Sequence, residues 1–159
     1  MIYEDRKRPT RCPPVDLDNQ SIIILVTAST KGRQRILCNE RIVKLLREAW
    51  QDPSNWIVGR YVILPDHPHL FCSPNMFTRL SLRRWVASWK SYVTRRWKAF
   101  AEKQIWQRSF WDRQIRNGEG YDAKWDYVKT NPVRHGLVND SGYWPHQGEI
   151  HRLFWHDRV

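Results

Sequence analysis

Acidic residues are missing from a long stretch of this sequence. Between Asp66 and Glu102 there is no Asp or Glu, while Arg79, Arg83, Arg84, Lys90, Arg95, Arg96 and Lys98 all fall inside it. Solvated faces usually mix the two signs, so a one-signed face argues for contact with a phosphate backbone. An anionic membrane fits less well, because Trp and Arg interleave here without a broad lipid-facing stripe. The whole chain carries a formal net charge of +11, and such a field attracts polyanions.

Other absences narrow the class further. The longest apolar run, IIILV, is far too short to span a bilayer. The start, MIYEDRKRP, is charged, which excludes a secretory signal, so a soluble cytoplasmic protein with no membrane partner is expected. The three cysteines, Cys12, Cys38 and Cys72, form no CxxC pair. That argues against a zinc knuckle and a disulfide scaffold and for reduced, packed thiols ahead of a reactive role. There is no GxxxxGK[ST] loop for nucleotide hydrolysis. The strand motif of RNA-binding domains with a similar element order is missing too. No repeat or low-complexity tract is found, and 159 residues suit one domain.

What is present reads as alternating strands and helices. Residues 1–19 form a polar, proline-bearing arm, 20–138 a core, and 139–159 an aromatic, irregular tail. Ser21 to Thr30 is rich in Ile, Val and Thr and predicts a buried strand. Asn39 can cap a helix running to about Trp50. Trp56 to Leu64 and His67 to Cys72 predict two strands joined at Pro65-Asp66. A long helix from Ser73-Pro74-Asn75 to about Trp97 carries the apolar stripe Leu82, Trp85, Val86, Trp89 and Val93, with Arg79, Arg83 and Lys90 on a flanking stripe. Gln104 to Ile115 predicts a further strand. Tyr121 to His135 predicts a helix, stopped by Pro132 and Gly136. The fold class is therefore α+β: a ferredoxin-like β-α-β-β-α-β sandwich with an antiparallel sheet and an additional C-terminal helix. Most of the ten tryptophans are expected in the core, with one or two free to stack on bases.

The sequence YVILPDHPHL places two histidines one residue apart after a turn. On a strand, residues i and i+2 share a side, so His67 and His69 would present two imidazoles to one site. That is a sensible half of a divalent-metal site, and equally a pair of ordinary strand histidines. Pro68 cannot donate to a ladder, which predicts a free edge or an irregularity there. Tyr127 and Asn131 stand at i and i+4 on one helical face. Asn131 offers a carbonyl oxygen, or caps the helix; Tyr127 offers a phenol, or packs on the sheet. A phenol is a poor nucleophile at neutral pH unless the phosphodiester is polarised. Tyr121, six residues earlier, lies well off Tyr127's position around the helix and is the matched control for it.

The segments YVILPDHPHLF, WQRSFWDRQIR and YDAKWDYVKTNPVRHGLV together resemble the IS200-like tyrosine transposases, and more closely their REP-associated branch. Tyr127, Val128, Asn131, Pro132 and Gly136-Leu137-Val138 match that branch position by position. Leu64-Pro65-Asp66 departs from its usual Met-Pro-Asn, and Pro68 stands where an aliphatic residue is commoner. The resemblance implies a metal-dependent endonuclease and strand transferase acting on single-stranded DNA beside REP-like hairpins, in the bacterial cytoplasm and at its nucleoid. His67, His69 and Asn131 would hold Mg²⁺ or Mn²⁺, with Asp66 orienting a histidine. Tyr127 would form a 5′-phosphotyrosine link. Arg79, Arg83, Arg84, Lys90 and Arg95 would contact the DNA backbone, and Trp106 and Trp111 would add specificity. The branch is expected to be monomeric, with a dimer as the alternative. An inactive, domesticated hairpin-binding protein of the same fold is the rival function. A hydrolase of small phosphoesters would leave Tyr127 without a task.

Overall fold

The computed structural model describes residues 22–97, 104–116 and 119–155; the arm expected over 1–19 lies outside them. Five strands form one sheet: β1 (Ile24–Thr27), β2 (Trp56–Leu64), β3 (His67–Pro74), β4 (Trp111–Gln114) and β5 (Gln147–Glu149), in the order β4-β1-β3-β2-β5, with every pairing antiparallel. The helices are α1 (Glu40–Trp50), α2 (Leu82–Arg96), α3 (Tyr121–Val128) and the short α4 (Asn131–Arg134). The first four strands and two helices give the expected ferredoxin-like order. β5 is an addition, and it lies in the tail read above as irregular.

Local chemistry explains most boundaries. The Asn39 side chain accepts a hydrogen bond from the Ile42 N–H and starts α1 where expected. α2 starts eight residues later than the sequence suggested, because Ser81 is its cap and accepts from the Arg84 N–H. The residues before it are held otherwise: the Asn75 N–H donates to Thr78 Oγ1, at 2.7 Å, and the Phe77 N–H to Asn75 Oδ1, at 3.1 Å. Arg79 therefore precedes the helix and does not share a helical stripe with Arg83 and Lys90.

The helix expected over 121–135 is two helices. Pro132 has no N–H to give the Val128 carbonyl, so the ladder is interrupted there. It resumes with the Arg134 N–H on the Thr130 carbonyl and the His135 N–H on that of Asn131. Gly136, at φ 70°, then reverses the chain; its N–H reaches the Val133 carbonyl, and the Leu137 N–H reaches that of Pro132. The strand expected over 104–115 shrinks to β4, with Trp106 making an isolated bridge to Thr30.

Alternation along the strands sorts the core onto two faces. Ile24, Val26, Val58, Ile63, Leu70 and Cys72 join Leu46, Trp50, Val86 and Trp89 beneath α1 and α2. Ile23, Leu25, Val62, Leu64 and Phe71 join Tyr121, Val128, Trp144 and Leu153 beneath α3 and the tail. A register shift in β2 between Val58 and Tyr61 resets that alternation. The shift contains Gly59, where an added Cβ would stand 2.6 Å from Leu153 and 2.7 Å from the Tyr121 hydroxyl. Only glycine leaves room for the tail to cross there.

Pro68 does not mark an edge strand. β3 lies between β1 and β2. The proline is tolerated because its polar side faces β1 just past the last ladder pair, Thr27 with His69, where its carbonyl accepts from the Ala28 N–H at 3.4 Å. The irregularity is the end of a neighbouring strand.

Candidate functional site

His67 and His69 share the sheet face of Phe71, as their spacing requires. Their rings stand edge to face with centroids 4.7 Å apart, and the two Nε2 atoms are 3.2 Å apart. The outer nitrogens are each occupied. His67 Nδ1 donates to Asp66 Oδ1 at 2.6 Å, and His69 Nδ1 meets the Thr27 hydroxyl at 2.7 Å. Partial burial raises the Asp66 carboxyl, but the hydrogen bond and charge of His67, with the Arg33 guanidinium, outweigh it and hold its pKa at about 2. Asp66 is thus a carboxylate that can only accept, so His67 Nδ1 carries a proton and Nε2 is the nitrogen turned to His69. Arg33 Nε donates to the other Asp66 oxygen at 2.9 Å. His69 is drained of charge by desolvation first, then by His67, His135, Arg134 and Arg33, which bring its pKa down to about 3.

Two imidazoles with facing Nε2 atoms and anchored Nδ1 atoms fit a divalent cation. Cis ligands about 2.1 Å from an octahedral ion stand about 3 Å apart, close to the 3.2 Å seen here. The anchoring of each outer nitrogen is the usual support for a ligating histidine. Among the described residues no three His, Cys, Asp or Glu side chains are placed to hold a metal. Asn131 on α4 offers a neutral oxygen as a candidate further ligand. The Asn131 side chain is buried on α4, and its Oδ1 accepts from Arg134 Nη2.

Tyr127 is 63% exposed at the end of α3. Its ring is covered on one side by Arg134, with Cζ 4.1 Å from the centroid. α3 is held at its start by the buried Tyr121, whose hydroxyl accepts from the Arg60 N–H in the β2 bulge at 3.0 Å. Burial pushes that phenol up to about 12. Arg60 Nη1 donates to Asp122 at 2.7 Å, and its Cζ lies 4.8 Å from the Tyr121 ring. Tyr121 is therefore a structural post, so Tyr121→Phe as the control for Tyr127 also carries a stability cost. The His135 ring, centroid 6.2 Å from that of His67, shows that the end of α4 lies beside the histidine pair.

The basic set divides. Arg79, Arg83, Arg84 and Arg95 are exposed, but α2 covers the opposite face of the sheet from the histidines. The α2 cations therefore do not share a face with the histidine pair, contrary to the sequence reading. Lys90 is buried; its ammonium donates to the Gln107 and Ser109 carbonyls at 3.0 and 3.3 Å, and desolvation lowers its pKa to about 8. It ties a loop to a helix and offers no free charge. Trp106 is buried and packs edge-on against Trp89. Arg83, Lys90, Arg95 and Trp106 nevertheless line one open cleft of about 750 Å³. Trp111 is half-buried on the histidine face; both it and His69 pair with Thr27, so it stands two strands from His69, about 10 Å away.

Thr27, Arg33, Arg134 and His135 escaped the sequence reading. Thr27 had a signal, since a strand polar residue among Ile, Leu and Val asks for a partner. Arg33 lies over thirty residues from Asp66, and nothing local could pair them.

No protein-family model matches the chain. It is 30% identical over 132 residues to the REP-associated tyrosine transposase of Escherichia coli strain K12, covering 82% of this chain and 70% of that protein. A relative from Haemophilus influenzae, provisionally given the same family name, is 33% identical over 102 residues, covering 57% of this chain and 56% of that protein. A solved structure of a REP-associated tyrosine transposase bound to a REP hairpin superposes with a TM-score of 0.63 at 21% identity, covering 87% of this chain and 92% of that one. The fold is thus shared with that protein. No helix among the described residues is long and apolar enough to cross a membrane.

Proposed function

We propose a function from one premise: this chain belongs to the REP-associated tyrosine transposases. The reading is a monomeric, metal-dependent enzyme that nicks and rejoins single-stranded DNA beside a hairpin. The observation that carries it is the pair of Nε2 atoms 3.2 Å apart on the sheet face that also bears α3 and Tyr127. The histidines, α3 and the end of α4 lie on one face of one chain, which supports a monomer.

His67, His69 and Asn131 would hold Mg²⁺ or Mn²⁺, which supplies positive charge to the non-bridging oxygens of the scissile phosphate. Asp66 and Thr27 fix the two imidazoles, so the ligand nitrogens need not be ordered at each turnover. Tyr127 loses its phenolic proton, and its oxygen bonds to phosphorus. The phosphorus–3′-oxygen bond breaks, and that oxygen departs as a hydroxyl. A 5′-phosphotyrosine remains, and attack on it by a 3′-hydroxyl reverses the step without nucleotide hydrolysis. Trp111, half-buried on the histidine face, would stack on a base of the DNA. The exposed Arg83, Arg84 and Arg95 are placed to take backbone charge on the other face, which requires DNA to pass round the sheet.

The test uses an end-labelled hairpin with a single-stranded flank, Mn²⁺, and a denaturing gel. The expected result is a covalent adduct that EDTA prevents. Tight hairpin binding with no adduct would leave the rival, a binding protein of the same fold.

A further inference from the structure

Arg134 bridges Tyr127, Thr130 and Asn131, and the reaction outlined above gives it no task. Its Nη1 donates to the Tyr127 carbonyl at 3.1 Å and to Thr130 Oγ1 at 2.6 Å. Its Nη2 donates to Asn131 Oδ1. The plane of the same group covers the Tyr127 ring, Cζ to centroid 4.1 Å. One guanidinium thus touches both the phenol ring and the Asn131 oxygen read above as a further ligand.

We propose that Arg134 is a positioning residue that clamps Tyr127 through one edge and competes with the divalent cation for Asn131 Oδ1 through the other. The inference rests on the reading of Tyr127 and the histidines given above. A guanidinium suits both halves, because it is planar, stacks on aromatic rings and presents parallel donors in a fixed fork. The two edges have different fates. Nη1 keeps its hold on Tyr127 and Thr130, so the ring stays in place. Nη2 must release Asn131 when that oxygen turns to a cation, and is then free to donate to a phosphate oxygen at the same spot. Cation affinity without DNA is therefore reduced by the fraction of molecules in which Asn131 is engaged. Arg134 couples ligand arrival to the freeing of a phosphate-binding edge.

The experiment compares the full-length protein with Arg134→Met and Arg134→Lys. Mn²⁺ binding is measured without DNA by the electron paramagnetic resonance signal of the free ion, and adduct formation in a single turnover at saturating Mn²⁺. Arg134→Met is expected to bind Mn²⁺ about threefold more tightly, since its competitor is gone. Its adduct should form about tenfold more slowly, since the ring is no longer held. Arg134→Lys should recover part of the rate, because an ammonium can cover the ring but cannot fork. A merely structural role would weaken Mn²⁺ binding with the fold, the opposite direction. Should Arg134→Met fail to fold, tighter Mn²⁺ binding by Arg134→Lys carries the same expectation. Unchanged or weaker Mn²⁺ affinity in the folded variants, beside a Tyr127-dependent adduct in the parent, overturns this inference alone. A parent that binds Mn²⁺ but forms its adduct without Tyr127 overturns the functional reading, and a parent that binds no Mn²⁺ overturns both.

Discussion

The two faces of the sheet are built on different principles. The face under α1 and α2 is closed by two long amphipathic helices, and its aromatic residues lock into one another: Trp50 meets Trp89 at 5.6 Å between centroids, and Trp89 meets Trp106 at 5.5 Å. The other face is covered by the short α3, the still shorter α4 and crossing tail segments, and it carries the histidines. Its polar groups are satisfied one by one: Thr27 by His69, Asp66 by His67 and Arg33, the Arg60 N–H by Tyr121. Interlocked tryptophans mark the helical face and candidate chemistry the other. Dense packing tolerates little movement, while a face of short elements leaves the end of α3 open to a substrate.

Substitutions can break that division, and the largest expected effect is all-or-none. Tyr127→Phe keeps the exposed ring and removes the attacking oxygen, so the adduct on a labelled hairpin should vanish while hairpin affinity stays within about twofold. An adduct from the Phe variant would detach the chemistry from this face. The counterpart on the helical face is Trp89→Ala, which should cost about 3–5 kcal/mol in denaturant unfolding. The surviving folded fraction should react normally. Loss of chemistry without loss of stability would deny that the faces are separate.

Smaller effects sharpen the contrast. Tyr121→Phe strands the Arg60 N–H in the bulge and should cost about 1–2 kcal/mol of stability. It should leave the single-turnover adduct rate unchanged; a loss of adduct comparable to that of Tyr127→Phe would mean that α3 offers two phenols. Arg83→Ala, Arg84→Ala and Arg95→Ala should each weaken hairpin binding and flatten its salt dependence by about one unit of slope if DNA reaches α2. An unchanged slope in the triple variant would confine DNA to the histidine face. The mildest concerns Lys90. Its folded pKa of about 8 lies below the ordinary 10.5, so between these values the unfolded chain binds more protons. Folding stability should therefore rise with pH across that window. Lys90→Met should remove that rise in thermal melts taken from pH 8 to 10.5.

Sequence patterning made the helical face and the strand cores legible. α1 and β2 appear with the expected bounds because Asn39 is a strong cap and the run from Trp56 to Leu64 is β-favouring up to a turn. The spacing of His67 and His69 correctly put their rings together. Misreadings arose where distant parts decide. Pro68 looked like an edge because its own strand cannot reveal that β1 ends beside it. Lys90 looked solvated because the carbonyls of Gln107 and Ser109 are 17 and 19 residues away. The α2 cations looked continuous with the histidines because sequence gives a helix's charged stripe but not the sheet face it covers. The late strand β5 carries Gly148 and too few residues to show alternation.

The order of strands also bears on how this protein keeps company with itself. The longest strands, β2 with nine residues and β3 with eight, sit inside the sheet, and the outermost are β4 with four and β5 with three. A short border offers few unpaired donors and acceptors, so a second copy finds little to extend. β5 carries most of that protection, since it pairs with Arg60, Tyr61 and Val62 of β2. A chain ending before Gln147 would lay bare the flank of a nine-residue strand rich in Ile and Val, the kind of template on which copies stack into insoluble assemblies. The tail read as irregular thus covers the flank of β2, the longest strand of a strongly basic sheet protein.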